Sequence, residues 1–152
     1  MKTGEYQMAV TAKHKKARAF RDFLISSNSV NMFKEEEINN SIVFRSVYQV
    51  KEDAKKQFMI IIDDSVYIHM QSLILSDIPE EKRDAMLRVI NELHFEYPTV
   101  KYVLTKEGHL MTSMAFHATE KSMDPSIIVM CTIEFFKTVA KDHYDRLLAV
   151  LA

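Results

Sequence analysis

The chain has 152 residues, 47% hydrophobic and 27% charged, a balance that suits a single domain, 1–152, with one core. A formal net charge of −1 carries no polyanion signature, and two Gly and three Pro leave no room for a linker or a glycine-rich phosphate loop. One Cys cannot form an internal disulfide, the longest apolar runs are too short to span a bilayer, and MKTGEYQMAV has no apolar signal core; a cytoplasmic protein is expected.

Residues 1–10 have no clear period and read as a loose arm or an extension of the first helix. From Thr11 to Ser27 the period is helical, with Ala17, Phe20, Phe23 and Leu24 on one face. Lys13, Lys15, Lys16, Arg18 and Arg21 form a basic cluster there, without interleaved aromatics, and a solvated face is expected rather than a phosphate patch. Residues 30–37 suit an edge strand or a turn of helix. In 41–50, Ile42, Phe44, Tyr48 and Val50 alternate onto one face. Residues 51–57 read as a charged connection. FMIIID at 58–63 is apolar at successive positions, as in a central strand covered on both sides. Residues 66–75 alternate again, giving an antiparallel meander.

Asp77-Ile78-Pro79-Glu80 has the form of a capping box opening the next helix. Met86, Val89, Ile90, Leu93 and Tyr97 form its apolar stripe, with Leu87, Asn91 and His94 beside it, and Pro98 stops it. Two strands, 99–105 and 109–118, join at Gly108. Met111 and Ala115 share a face with His109 and His117. Pro125 starts a last helix, capped near Asp124, that runs to Leu151. Val129, Ile133, Phe136, Ala140, Tyr144, Leu147 and Leu151 form its apolar face, and Ile128, Phe135 and Val139 lie on a flank expected to be uncovered. The fold class that follows is α+β, a twisted antiparallel sheet with helices in the order α-β-β-β-α-β-β-α.

INELHFEYPTVKYVLTKEGHL resembles the YbjN-like family of bacterial proteins, described as sensory transduction regulators. Ile90-Asn91 and Leu93-His94 stand at the family's two Leu-Asn pairs, Lys101-Tyr102 at its strand and Gly108 at its turn. His94 replaces the second Asn and Ile90 the first Leu. The resemblance implies a fold similar to class I type III secretion chaperones, a homodimer, and binding of client polypeptide along apolar grooves rather than catalysis.

No residue pattern argues for chemistry. The six His have no metal-ligand spacing, and His109 and His117 lie roughly 26 Å apart along an extended strand. Cys131, among apolar residues, reads as a buried inert thiol. No catalytic residue, metal or cofactor is expected, and nucleic acid and membrane are not expected partners. The expected partner is another polypeptide, a second copy or a client. The candidate contacts are Leu87, His94, Met111 and Ala115, with Ile128, Phe135 and Val139 on the helix flank. Asn91 reads as a helix-to-strand anchor. The ten Met suit either core filling or a soft binding surface. The alternative is a small-ligand sensor or enzyme with its site between sheet and helices, where Tyr67, His69, Gln71, His109 and His117 supply polar groups.

Overall fold

The computed structural model describes residues 11–152, so the expected arm at 1–10 lies outside the described residues. Helix α1 (Ala12–Ser26) is followed by a 3-10 turn (Val30–Met32) and four strands, β1 (Lys34–Ile38), β2 (Ser41–Lys51), β3 (Ala54–Ile62) and β4 (Tyr67–Leu75). Helix α2 (Arg83–Glu96), β5 (Tyr102–Leu104) and β6 (Leu110–His117) come next. Helix α3 (Pro125–Thr138) passes through a π turn (Val139–His143) into α4 (Tyr144–Leu151). The strands form one antiparallel sheet in the order β1-β2-β3-β4-β6-β5, which bears out the α+β reading.

All the helices lie on one face of this sheet. Ala17, Phe20 and Leu24 of α1, Met86, Ile90 and Leu93 of α2, and Ile128, Phe135 and Phe136 of α3 share one core with Phe44, Ile60, Ile68 and Leu110 from the strands. Phe20 meets Phe44 at 4.8 Å, and Phe58 meets Phe136 at 5.3 Å, ring to ring. Among the described residues the opposite sheet face has no helix. Across it run Val43, Ile61, His69 and Ala115, each opposite the next. The expectation that β3 is covered on both sides is therefore corrected: Phe58, Ile60 and Ile62 are buried, while Met59 and Ile61 are only half-buried on the open face.

Several boundaries differ from the sequence reading, each for a local reason. The charged stretch 51–57 is mostly strand, because Glu52-Asp53 alone makes the turn and β3 begins at Ala54. Lys56 is accommodated there by laying its ammonium over the Tyr144 ring, 5.1 Å from the centroid. Asp77 does not cap α2. Its φ of 57° turns the chain, and Pro79 has an extended ψ of 146°, so a 3-10 turn (Glu80–Lys82) precedes the helix. Asp124 does cap α3, its carboxylate accepting from the backbone N–H of Ser126 (3.0 Å) and Ile127 (3.4 Å). Gly108 has φ +87°, and a Cβ there would sit 3.0 Å from the Ile78 carbonyl oxygen.

The last helix carries the largest correction. Ile128, Phe135 and Val139 are buried, not an uncovered flank, whereas Ile133 is 38% exposed. The π turn is the physical reason for the inner side beyond it. It adds backbone between α3 and α4, so the inner side passes from Val139 through His143 to Tyr144 and Leu147.

Much of the basic cluster on α1 is engaged within the chain, while Arg18 stays exposed. Lys16 is fully buried, donating to the carbonyls of Ser65 (2.8 Å) and Tyr67 (3.0 Å), and burial lowers its pKa. Arg21 forms a two-pronged pair with Glu35 (2.7 and 2.6 Å), and Lys15 pairs with Glu120 at 3.1 Å. Among the described residues no helix is long and apolar enough to cross a membrane.

Candidate functional site

The site starts from a strand that ends early. β5 pairs with β6 over only three residues, Tyr102↔Thr112, Val103↔Met111 and Leu104↔Leu110. A last bond runs from the Ser113 N–H to the Lys101 carbonyl at 3.1 Å. Before that point a turn, closed by the Val100 N–H on the Tyr97 carbonyl at 3.0 Å, holds the chain off the ladder. β6, however, continues to His117. Backbone groups of successive residues in an antiparallel strand point to alternate sides. Ser113 faces β5, so the N–H and C=O of Ala115 and His117 face the same way, where no strand lies among the described residues.

This free edge opens into a groove. A cavity of about 580 Å³ lies between the edge at Ser113–Phe116, the segment Tyr97–Lys101, and the Cys131, Glu134, Phe135 and Thr138 side of α3. A second cavity of about 320 Å³ shares Ala115 and Phe116 and continues past His117 to Asp124 and Ile127. The opposite edge of the sheet differs. β1 reads KEEEI, with Glu35 tied to Arg21 and Glu36 to Arg45. Such charge discourages strand addition. The β6 edge, SMAFH, carries no Lys, Arg, Asp or Glu.

The groove wall at Tyr97–Lys101 is held by a polar network. His94 Nε2 accepts the Tyr102 backbone N–H at 2.9 Å. Thr112 Oγ1 donates to the Lys101 carbonyl at 2.8 Å. The Tyr97 hydroxyl donates to Asp142 at 3.2 Å. Arg146 grips Glu96 (2.6 and 3.2 Å) and Asp142 (3.3 Å), and its hydrogen bond to Glu96 draws that carboxyl below its usual range. Tyr102, buried, meets His143 Nδ1 at 2.8 Å, and burial pushes its phenol up. His143 Nε2 has no polar partner among the described residues. The Tyr97 ring packs edge-on against this imidazole, 4.5 Å between centroids at a 73° interplanar angle.

Burial holds the His143 pKa below that of an exposed histidine, despite Asp142 nearby. Its folded pKa lies below its unfolded one, so this histidine's contribution is fully present above the unfolded value near 6.5 and is lost as pH falls toward the folded value. Urea unfolding of the native chain should therefore show stability falling between pH 7 and 5. His143→Gln should be less stable at pH 7 and show a shallower fall, by up to one proton.

The expected contact residues separate into four groups. Met111, half-buried, and Ala115, exposed, lie together on the open sheet face, and Ala115 is also on the free edge. Leu87 is exposed on α2, away from both. His94 faces inward as the anchor of β5, the role expected of Asn91, which is exposed. Phe135 and Ile128 are buried as core residues that also border the groove cavities, whereas Val139 is core alone. Cys131, expected to be buried, is exposed and lines the groove. The sequence reading missed Tyr97, Glu134 and Thr138. The signal for Tyr97 was its place before Pro98, which marks a departure from helix. Among the described residues no three His, Cys, Asp or Glu converge as a metal site would require. Compared with known proteins, the chain matches no family model and none of the curated proteins.

Proposed function

We propose that this chain is a non-enzymatic, cytoplasmic polypeptide-binding module, chaperone-like or regulatory, acting as a homodimer. It takes an extended client segment as an added strand along β6. The carrying observation is the uncharged free edge at Ala115 and His117 opening into an apolar-walled groove. Strand addition uses main-chain hydrogen bonds for affinity and alternate side chains for specificity. From Ser113 to His117 the edge spans roughly 13 Å, the length of four to five client residues. Every second client side chain would point toward Phe135 and Cys131, and those between toward Ala115 and His69. The resemblance to YbjN-like proteins and secretion chaperones supports the same class of role.

The test is fluorescence anisotropy with a library of unstructured decapeptides bearing an apolar residue at alternate positions. Several members should bind saturably and compete with one another. Binding no tighter than to a fully charged control peptide, up to ~100 μM, would remove the reading.

A second reading rests on another cavity. About 210 Å³ of mostly apolar space lies between β2–β3 and α3, bordered by Met32, Phe33, Tyr48, Phe58, Val129 and Ile133. It suits a small hydrophobic ligand. Thermal-shift screening separates the two: stabilisation by small apolar compounds but by no peptide favours this second site.

A further inference from the structure

We infer that the cavity between β2–β3 and α3 is a site for a small, neutral aromatic molecule carrying one hydrogen-bonding group. This deepens the second reading above and rests on it, but not on the β6 groove. The cavity runs from an exposed rim to a buried floor. Met32, Val47 and Ile133 at the rim are exposed, whereas Ile60 and Thr132 below are buried. Interiors leave few voids larger than a water molecule, so about 210 Å³ of open space at this depth is room for an occupant.

Among the described residues none that lines the cavity is charged. A carboxylate, phosphate or ammonium buried here would have no partner, which excludes ionised ligands. The walls are aromatic. Phe33 stands edge-on to Phe58 at 6.0 Å, and Tyr48 comes from the neighbouring strand. Further rings brace these walls: Phe20 lies 6.1 Å from Phe33, and Phe136 lies 5.3 Å from both Tyr48 and Phe58. Braced rings hold the space open, and their faces and edges favour an aromatic guest over an alkyl chain. An apolar cavity of about 150 Å³ admits benzene, so this one takes roughly eight to ten non-hydrogen atoms.

The polar atoms free to meet a ligand gather at the rim. On the floor, Thr132 Oγ1 spends its proton on the Ile128 carbonyl at 2.8 Å. At the rim, Ser46 Oγ donates to the Met32 carbonyl at 2.7 Å, which leaves its lone pairs to accept. The β2 backbone adds a second acceptor. The tight turn at Asn39-Asn40 makes Ile38↔Ser41 a hydrogen-bonded pair, so the backbone groups of Ser41, Val43 and Arg45 face β1. Val47 is next in this alternation. Its N–H and C=O face the same way, beyond the last pair Lys34↔Arg45, where no strand lies among the described residues. A ligand N–H or O–H at the rim therefore meets acceptors in Ser46 Oγ and the Val47 carbonyl, with its ring below against Phe58. An indole-type heteroarene or a phenol has this form, an apolar ring with one polar edge.

The test is a titration of the full chain with indole. The chain has no Trp, so the fluorescence of indole itself reports binding without a protein tryptophan background. Binding should saturate with a dissociation constant on the order of 10–100 μM. 1-Octanol and benzoate, matched to indole in size, should displace it at least ~10-fold more weakly. The methyl NMR signals of Ile60, Val129 and Ile133 should move during the titration, while those of Met111 and Ala115 stay fixed. Val129→Phe fills the cavity from α3 and should weaken indole binding at least ~10-fold. Ile133→Phe narrows the rim from an exposed position and should act the same way, with thermal unfolding showing that each variant is folded. Octanol or benzoate binding as tightly as indole, with the same methyls moving, would overturn the neutral aromatic assignment and leave the cavity reading standing. No binding of any of the three up to ~1 mM, shifts confined to β6, or full indole affinity in both folded variants would overturn both.

Discussion

Replacing Ala115 with proline should abolish peptide binding, by about 100-fold or more, and leave the chain folded. The Ala115 N–H faces the free side of β6, so removing it breaks no bond among the described residues. Proline is tolerated on edge strands for that reason, and Met114 before it is already extended, as proline demands. A client strand would lose one backbone hydrogen bond, worth about 1 kcal/mol, and would meet a pyrrolidine ring where its carbonyl must sit. Ala115→Val keeps the N–H and should bind as the native chain does. Cys131→Trp offers a second route, since it fills the groove from the exposed side of α3 and should weaken binding about tenfold or more without touching the edge. Anisotropy titrations of the three variants check this. Full affinity in both Ala115→Pro and Cys131→Trp would place the client elsewhere.

The largest loss of stability is expected at Phe136. Its ring is fully buried, stacked on Tyr48 at 5.3 Å, tilted on Phe58 at 5.3 Å and edge-on to Phe135 at 5.2 Å. Phe136→Ala should cost about 3–5 kcal/mol, toward the upper end. Tyr48 and Phe58 already border the 210 Å³ cavity, so the new void joins an existing one and the site has little to collapse onto. In a chain of this length the midpoint of thermal unfolding should fall by about 10 °C or more. Phe95→Ala, the same chemical change on a ring 89% exposed, should cost under about 0.5 kcal/mol. Calorimetry on the two variants separates a core phenylalanine from a surface one. Similar losses in both would contradict the assignment of Phe95 to the surface.

Most of the sheet was legible because period two is a strong signal. Ile42, Phe44, Tyr48 and Val50 share the helix-covered face of β2, and Leu110, Met114 and Phe116 share it on β6. Legibility failed where the backbone departs from ideal geometry. An ideal helix drawn from Pro125 to Leu151 puts Ile133 inside and Val139 on a flank; instead Val139 is buried on the side of α3 that already buries Ile128 and Phe135, and the π turn at Val139–His143 then carries the inner side on to His143, Tyr144 and Leu147. Asp77 has every residue-type feature of a cap, but its left-handed φ is a tertiary decision, fixed where the Ile78 N–H bonds the Gly108 carbonyl at 2.9 Å. Lys55, Lys56 and Gln57 disguise the start of β3, because a long side chain can occupy a strand if its charged end reaches water or a ring.

The candidate site was legible in part. Met111 and Ala115 fall on one face by simple alternation, and Leu87 falls on the outer side of its helix. The groove itself arises from the difference in length between β5 and β6, set by the Tyr97–Val100 turn and by His94, Asp142 and His143 pinning the segment that follows α2. Those partners are up to 45 residues apart in the chain, so no local pattern reports them.

Residue-resolved amide hydrogen exchange, with and without the tightest decapeptide from the library, reports strand addition at β6 position by position. At saturating peptide the amides of Ala115 and His117 should slow by at least ~10-fold, because each gains a carbonyl partner, while those of β1 stay as they were. Unchanged exchange at both positions under saturation would contradict strand addition at β6.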